Sequence, residues 1–250
     1  LFAKTWNEGG DISQWMIDNE VAIVEDIDFK EIPEHEWVSI GTDERPWNMG
    51  FNGNDKKIYN LHASKPLFGY CNGADIRNVT IDSSSSFEAV ETNGSMLNIS
   101  SFADEIIATT LDDCDNNAAI ILDAEDSNHS KSLVGGMVCR MDKASCIKNS
   151  SNAGTININQ VNSMLTVGGM VGEVAEGQIE NSTNSGSISF ANPVYIPRQA
   201  LHVGGIAGNI SMKTGKAVKI DTLINAAGCV VAGPAEKIDI NEAGEIEGIF

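Results

Sequence analysis

The segment Val167-Gly168-Gly169-Met170-Val171-Gly172 has two close relatives in the same chain, Val134-Gly135-Gly136-Met137-Val138-Cys139 and Val203-Gly204-Gly205-Ile206-Ala207-Gly208. The first glycines of the three pairs stand at 135, 168 and 204, so the spacings are 33 and 36 residues. Recurrence at such a period restricts a chain to a stacked repeat array. The residues downstream of each glycine motif recur as well. Ile147-Lys148-Asn149-Ser150 leads to Gly154-Thr155-Ile156, and Ile179-Glu180-Asn181-Ser182 leads to Gly186-Ser187-Ile188. The third copy continues, one residue longer, from Ile220 to Gly228, with Thr222 in the asparagine place. A degenerate earlier copy reads Leu67-Phe68-Gly69-Tyr70, then Ile76-Arg77-Asn78.

Helical repeats of this length need long segments with a 3.6-residue period. Here the segments are short and alternate at period two, as in Gly154-Thr155-Ile156-Asn157-Ile158-Asn159, which is the pattern of strands broken by turns. Each repeat therefore reads as one coil of a parallel β-solenoid. Ile147 and Ile179 are expected to point inward and stack about 4.8 Å apart along the axis, and Ile156 and Ile188 to do so on another face. Asn149 and Asn181, with Asn78, fall at one register. Asparagine tolerates left-handed turns, and its amides are expected to hydrogen-bond from coil to coil. The glycines are expected to supply positive φ and close packing of coils. One coil cannot bury its own core, so several must stack and the ends need caps.

The repeat resembles the GLUG-motif repeats of secreted and surface-attached bacterial proteins, which include some immunoglobulin A-cleaving peptidases. The motif residues are Gly169-Met170-Val171-Gly172 and Gly205-Ile206-Ala207-Gly208, and the likeness covers roughly residues 133 to 233. A second resemblance covers residues 1 to 82. Asp26-Ile27-Asp28, Trp37-Val38-Ser39-Ile40-Gly41 and the turn Phe51-Asn52-Gly53-Asn54-Asp55-Lys56 are similar to the opening coils of right-handed β-helices in the same kind of protein, where a short helix precedes them. The expected fold is all-β: a right-handed parallel β-helix with a short N-terminal capping helix, as one domain over 1–250. Residues 1–20 form the cap, 21–82 the first coils, 83–132 irregular coils or an insertion, and 133–250 the repeat coils. Residues 191 to 201 read as a loop leaving the solenoid, and the tail from Gly244 as the start of another glycine-bearing strand.

All four tryptophans, Trp6, Trp15, Trp37 and Trp47, lie in the first 50 residues. They suit either a hydrophobic cap on the first coil or a platform on which sugar rings stack. Trp47, beside Pro46 in a polar turn, is the one expected to be exposed, with Trp37 as a second ligand-binding candidate.

Asp and Glu outnumber Lys and Arg by 35 to 16, for a net charge of −19. Such a chain repels phosphate backbones and anionic lipid heads, so nucleic acid and membrane surfaces are poor partners. No apolar run approaches the roughly 20 residues that span a bilayer, and the first residues do not read as a signal peptide. The five cysteines form neither a CxxC pair nor a disulfide framework. They read as small buried residues, with a Cys139–Cys146 bridge left open.

Chemistry-bearing motifs are sparse. His35, His62, His129 and His202 are scattered, without metal-ligand spacing, and neither a G-x-S-x-G elbow nor a P-loop occurs. The richest acidic stretch is Asp112-Asp113-Cys114-Asp115, followed by Asp123, Glu125 and Asp126. Strand alternation would put Asp113 and Asp115 on one face. They read as a solvated acidic loop, with a Ca²⁺ site and an acid/base pair as alternatives; no other cofactor is expected. Asn-x-Ser/Thr triplets such as Asn98-Ile99-Ser100 are common by chance in such a composition. The sequence thus points to a non-catalytic secreted or cell-surface module that binds an extracellular glycan or protein ligand. A structural spacer and a β-helical polysaccharide-active enzyme are the alternatives, and the resemblance is what implies the surface location.

Overall fold

Period-two segments separated by turns wind into a parallel β-solenoid of about 4 turns, preceded by a short N-terminal helix. The computed structural model describes residues 1–33, 36–89, 96–124, 131–161, 164–190, 201–211, 218–221, 224–225, 231–232, 239–240 and 246–247. One coil has four faces. In chain order they are Ala103–Ile107, Thr110–Asn116, Ala119–Ala124 and Lys131–Gly135. The next coil repeats them as Val138–Asp142, Ser145–Lys148 with Ser151–Asn152, Ile156–Val161 and Met164–Gly168. Every strand of these two coils pairs in parallel with its equivalent in the other.

Stacking follows the predicted register. On the second face Val21, Phe51, Ile76, Leu111, Ile147 and Ile179 lie on one another in that order. Ile147 and Ile179 are both fully buried. On the third face the column is Ala63, Phe87, Ile120, Ile156 and Ile188. These columns form a single continuous core that runs the length of the described solenoid.

The stretch 83–132, left open between irregular coils and an insertion, carries strands Ser86–Ala89, Met96–Ile99, Ala103–Ile107, Thr110–Asn116 and Ala119–Ala124, all in register with their neighbours. Its weak glycine signal has a local cause. Ser100 and Ser101 stand where the later corners have a glycine pair, and the Ser101 hydroxyl donates to the Gly136 carbonyl at 2.6 Å. At the other end, Ile246–Glu247 pairs antiparallel with Asp239–Ile240, so this pair is not a further parallel rung. The loop expected at 191–201 lies, apart from Leu201, outside the described residues.

Two expectations about the repeat need correction. The repeat glycines do not use positive φ; among the described residues the glycines that do are Gly9, Gly41, Gly73 and Gly177. The pairs Gly135-Gly136, Gly168-Gly169 and Gly204-Gly205 instead mark the tight corner between the fourth face and the first face of the next coil. A Cβ on Gly169 would run into the Gly205 carbonyl and the Asn184 amide. The asparagines also divide their labour differently. Asn78, Asn149 and Asn181 do take the left-handed conformation, at φ 56, 51 and 46. Asn78 does reach the neighbouring coil's amide, donating to Asn52 Oδ1 at 3.2 Å, but the Asn149 amide donates to Asp112 Oδ1 at 2.8 Å. The coil-to-coil amide ladder belongs to Asn116, Asn152 and Asn184, buried inside the solenoid with bonds of 2.8 and 2.9 Å. Stacked amides satisfy each other there, and each also donates to a carbonyl two residues on, that of Ala118, Gly154 or Gly186. That offsets the cost of burying them.

The N-terminal end is closed by aromatic packing. Helix Phe2–Asn7 buries Ala3 and Trp6. The Asn7 side chain ties it to the first coil, donating to the Ser39 carbonyl at 2.9 Å and accepting from Gly41 N–H at 2.8 Å. Trp47 is fully buried, not exposed. A parallel bridge places it on Cys71, and Phe2, Trp6 and Phe51 meet its ring edge-on at 5.8, 4.7 and 6.4 Å. Pro46 made the site look like a surface turn; the open end of the core made the indole more useful inside.

Candidate binding groove

Neither of the sites expected from the sequence assembles as such. Trp37 is half-buried, donates its Nε1–H to the Pro66 carbonyl at 3.0 Å, and packs edge-on against Phe29 at 5.3 Å. Trp6, Trp15 and Trp47 belong to the cap, so the four indoles do not make a sugar-stacking platform. The acidic stretch expected as a loop lies on the strand Thr110–Asn116. Asp113, however, adopts φ 54, which interrupts the strand alternation and turns Asp112, Asp113 and Asp115 all outward. Slight burial and repulsion from Asp115, Asp55 and Asp112 push the Asp113 carboxyl upward. Asp112 is engaged by Lys148 Nζ at 3.1 Å and Asp115 by Ser151 Oγ at 2.5 Å. Among the described residues no group of three or more His, Cys, Asp or Glu side chains is arranged to hold a metal ion. Glu125, Asp126, His35, His129 and Cys229 lie outside the described residues. His62 Nδ1 and Ser86 Oγ are 2.8 Å apart across two coils, an exposed rung of the third face. The thiols are free: Cys139 is buried on the first face and Cys146 half-buried on the second, so no bridge joins them.

A different site emerges at the glycine corner. Leu133 and Cys139 are 1% and 0% exposed, yet neither belongs to the central core. They are buried because the outer surfaces of the fourth face and the next first face close on each other. Lys131, on the fourth face, reaches across to Glu173 on the first face two coils on, Nζ to Oε2 2.5 Å. Gly172 lies deep in the angle, where a Cβ would come 3.0 Å from the Val134 carbonyl oxygen and 2.7 Å from that of Cys139. The last glycine of each motif therefore lets the backbones close on one another at the bottom of the groove between the two faces.

The first-face wall of this groove carries one outward column: Tyr70, Glu105, Arg140, Glu173 and Asn209, each paired with the next. Arg140 sits between two carboxylates, Nε 3.7 Å from Glu105 Oε1 and 3.9 Å from Glu173 Oε1. That Nε is buried and makes no hydrogen bond. On the opposite wall the column Asn98, Leu133, Thr166 and His202 contributes a second unpaired group, the buried Asn98 Oδ1. Deeper in the angle, the Cys139 thiol points at Asp104 Oδ1, 3.9 Å away.

The electrostatics are mixed in sign. Burial pushes the Asp104 carboxyl up to about 7, with Glu105 adding to the rise and Lys65 and the Cys139 thiol opposing it. Burial also works to raise Glu173, but the Lys131 ammonium, Arg140 and Ser211 outweigh it and hold that carboxyl below its ordinary value. Burial, then the nearby Asp104 and Glu105 charges, pushes the Tyr70 phenol upward. Two carboxyls in one groove are thus driven in opposite directions by their surroundings. Sequence reading missed this column because its members are about 35 residues apart and carry no motif; only Gly172 and its equivalents flagged the corner.

Neither the protein-family models nor the curated proteins give a match to this chain. Among solved structures it is similar to a crystal structure from Bacteroides ovatus provisionally described as an immunoglobulin A1 protease. The identity is 15% and the TM-score 0.50, over 91% of this chain and 84% of that one. A structure described as an IgA1 protease is matched at 15% identity and a TM-score of 0.46, over 92% of this chain but 20% of the other. The chain therefore spans about a fifth of that second protein. At such identity the first likeness is one of fold: the parallel β-solenoid.

Proposed function

We propose that this chain is a ligand-binding module of a secreted or surface-attached bacterial protein, built from GLUG-type repeats, and that its ligand lies along the groove between the fourth and first faces. The observation that carries this reading is the outward column Tyr70–Glu105–Arg140–Glu173–Asn209, polar on every rung, facing a wall with an unpaired Asn98 Oδ1. The Glu105 and Arg140 side chains are 24% and 35% exposed, so a ligand can reach them. Solenoid faces provide long binding surfaces of this kind.

A polysaccharide-active enzyme is the second reading. What favours it is the clustering of Asp104, Glu105 and Glu173 with Arg140 in one groove, with Asp104 raised and Glu173 lowered. Divergent carboxyl pKa values are the pattern of an acid and a base.

The test is a combined screen of the purified chain on a glycan array and an array of extracellular host proteins, with wild type beside Lys131→Glu/Arg140→Glu. Specific binding on either array that the charge reversal abolishes is the expected result. Binding that survives the reversal would move the site elsewhere, and loss only in the presence of a chelator would move it to the Asp113–Asp115 edge. No binding on either array would leave a spacer. Release of reducing sugar from bound glycan, abolished by Asp104→Asn, would turn the reading to the enzyme.

A further inference from the structure

We infer that the occupant of the groove is a linear, uncharged polysaccharide running parallel to the solenoid axis; this rests on the groove being the binding site. Three observations select that chemistry. First, the groove offers both hydrogen-bond senses side by side. Glu105 accepts, and the partly exposed Arg140 guanidinium beside it donates. A hydroxyl both donates and accepts, so a hydroxyl-rich chain can satisfy adjacent carboxylate and guanidinium groups at once. An anionic chain would meet Arg140 and Lys131 but also Glu105 and Glu173, on a protein of net charge −19, and like-charge contacts are costly.

Second, the contacts recur at the rung spacing. Tyr70, Glu105, Arg140, Glu173 and Asn209 succeed one another coil by coil, about 4.8 Å apart. A polymer that presents similar hydroxyls on every unit can engage successive rungs. The half-buried Tyr70 at the first rung supplies the ring on which an apolar sugar face packs, with its hydroxyl still able to hydrogen-bond.

Third, the backbone groups at the corner are spent between coils, as in Met137 N–H to the Met170 carbonyl at 2.9 Å and Met170 N–H to the Ile206 carbonyl at 2.9 Å. An extended peptide gains its affinity by adding a strand to an open edge, and the described walls of the groove give it none. Recognition must come from side chains.

The experiment is affinity electrophoresis of the full chain through native gels holding galactomannan, xyloglucan, arabinoxylan or mixed-linkage glucan, with chondroitin sulfate as the anionic control. Wild type should be retarded in at least one neutral gel and not by chondroitin sulfate. Arg140→Gln and Tyr70→Ala should each weaken that retardation about tenfold or more, the loss expected for one charged hydrogen bond or one ring contact. Lys148→Ala, on the second face, should keep it. Melting curves of every variant separate lost binding from lost folding. Retardation by chondroitin sulfate alone overturns the uncharged chain, and so does its absence from all four neutral gels. Binding on the protein array without any neutral-gel retardation sinks this inference and leaves the binding module standing. Undiminished retardation of a folded Arg140→Gln sinks the groove itself.

Discussion

Asp104 shows how one residue's environment sets a measurable property. It stands where the equivalent positions are Gly69 and Gly172, between Lys65, Glu105 and the Cys139 thiol. Its folded pKa, about 7, is above that of an ordinary aspartate in an unfolded chain. The folded state therefore holds this proton more tightly. Its contribution to stability is fully present below about pH 4 and is lost as pH rises to about 7. Asp104→Asn keeps the shape without the buried charge. The melting temperature of Asp104→Asn minus that of wild type should accordingly grow between pH 5 and pH 8. A difference that stays flat across that window would mean Asp104 titrates as an ordinary aspartate. Glu173 works in the opposite sense, since its lowered carboxyl supports the fold at neutral pH and ceases to as acid neutralises it.

At the scale of the element, the bend inside the second face is specified twice. Left-handed Asn149 and Asn181 bend the chain, and Ser150 and Ser182 then cap it. The Ser150 hydroxyl accepts from Cys114 N–H at 3.1 Å and the Ser182 hydroxyl from Ser150 N–H at 3.3 Å. Three residues later the Asn116–Asn152–Asn184 ladder takes over inside the core. Below that ladder the same column is Ile58 and Ile81, so the interior changes there from apolar to amide. Asn152→Leu fits an apolar column in size but removes the bonds to Asn116 and Asn184 together. A hydrogen bond lost between buried groups costs about 1–3 kcal/mol, and the variant should lose stability on that scale in urea unfolding. A neutral result would show that the buried amides find other partners. This ladder was not legible in the sequence, where the stacked amides are expected at Asn149 and Asn181. Both sets recur at the same interval, and periodicity alone cannot tell an asparagine inside from one in a turn.

At the scale of the whole molecule, the coils are interchangeable parts of one core. Deleting residues 138 to 170 removes a single repeat, since Val138 and Val171 are register partners. It should leave Leu111 stacked on Ile179 and Asn116 on Asn184, because those residues are already one coil apart from the excised ones. The shortened chain should keep the β-type circular dichroism and the oligomeric state of the parent, while losing the Arg140 rung. Aggregation on deletion would mean the coils are not independent units. The stacked-repeat fold, the columns through Ile147 and Ile179, and the left-handed asparagines were all determined by the sequence alone, because a fixed period forces equivalent residues onto equivalent positions. Tertiary structure decided which side of each coil faced what. It placed Trp47 inside the cap, where an open core end outweighs a polar neighbourhood. It set the glycine pairs at close approach and not at positive φ, because the next coil's carbonyl occupies the space a Cβ would need. It also folded two faces toward each other, so that Asp104, Arg140 and Glu173, about 35 residues apart and unremarked in sequence, share one groove.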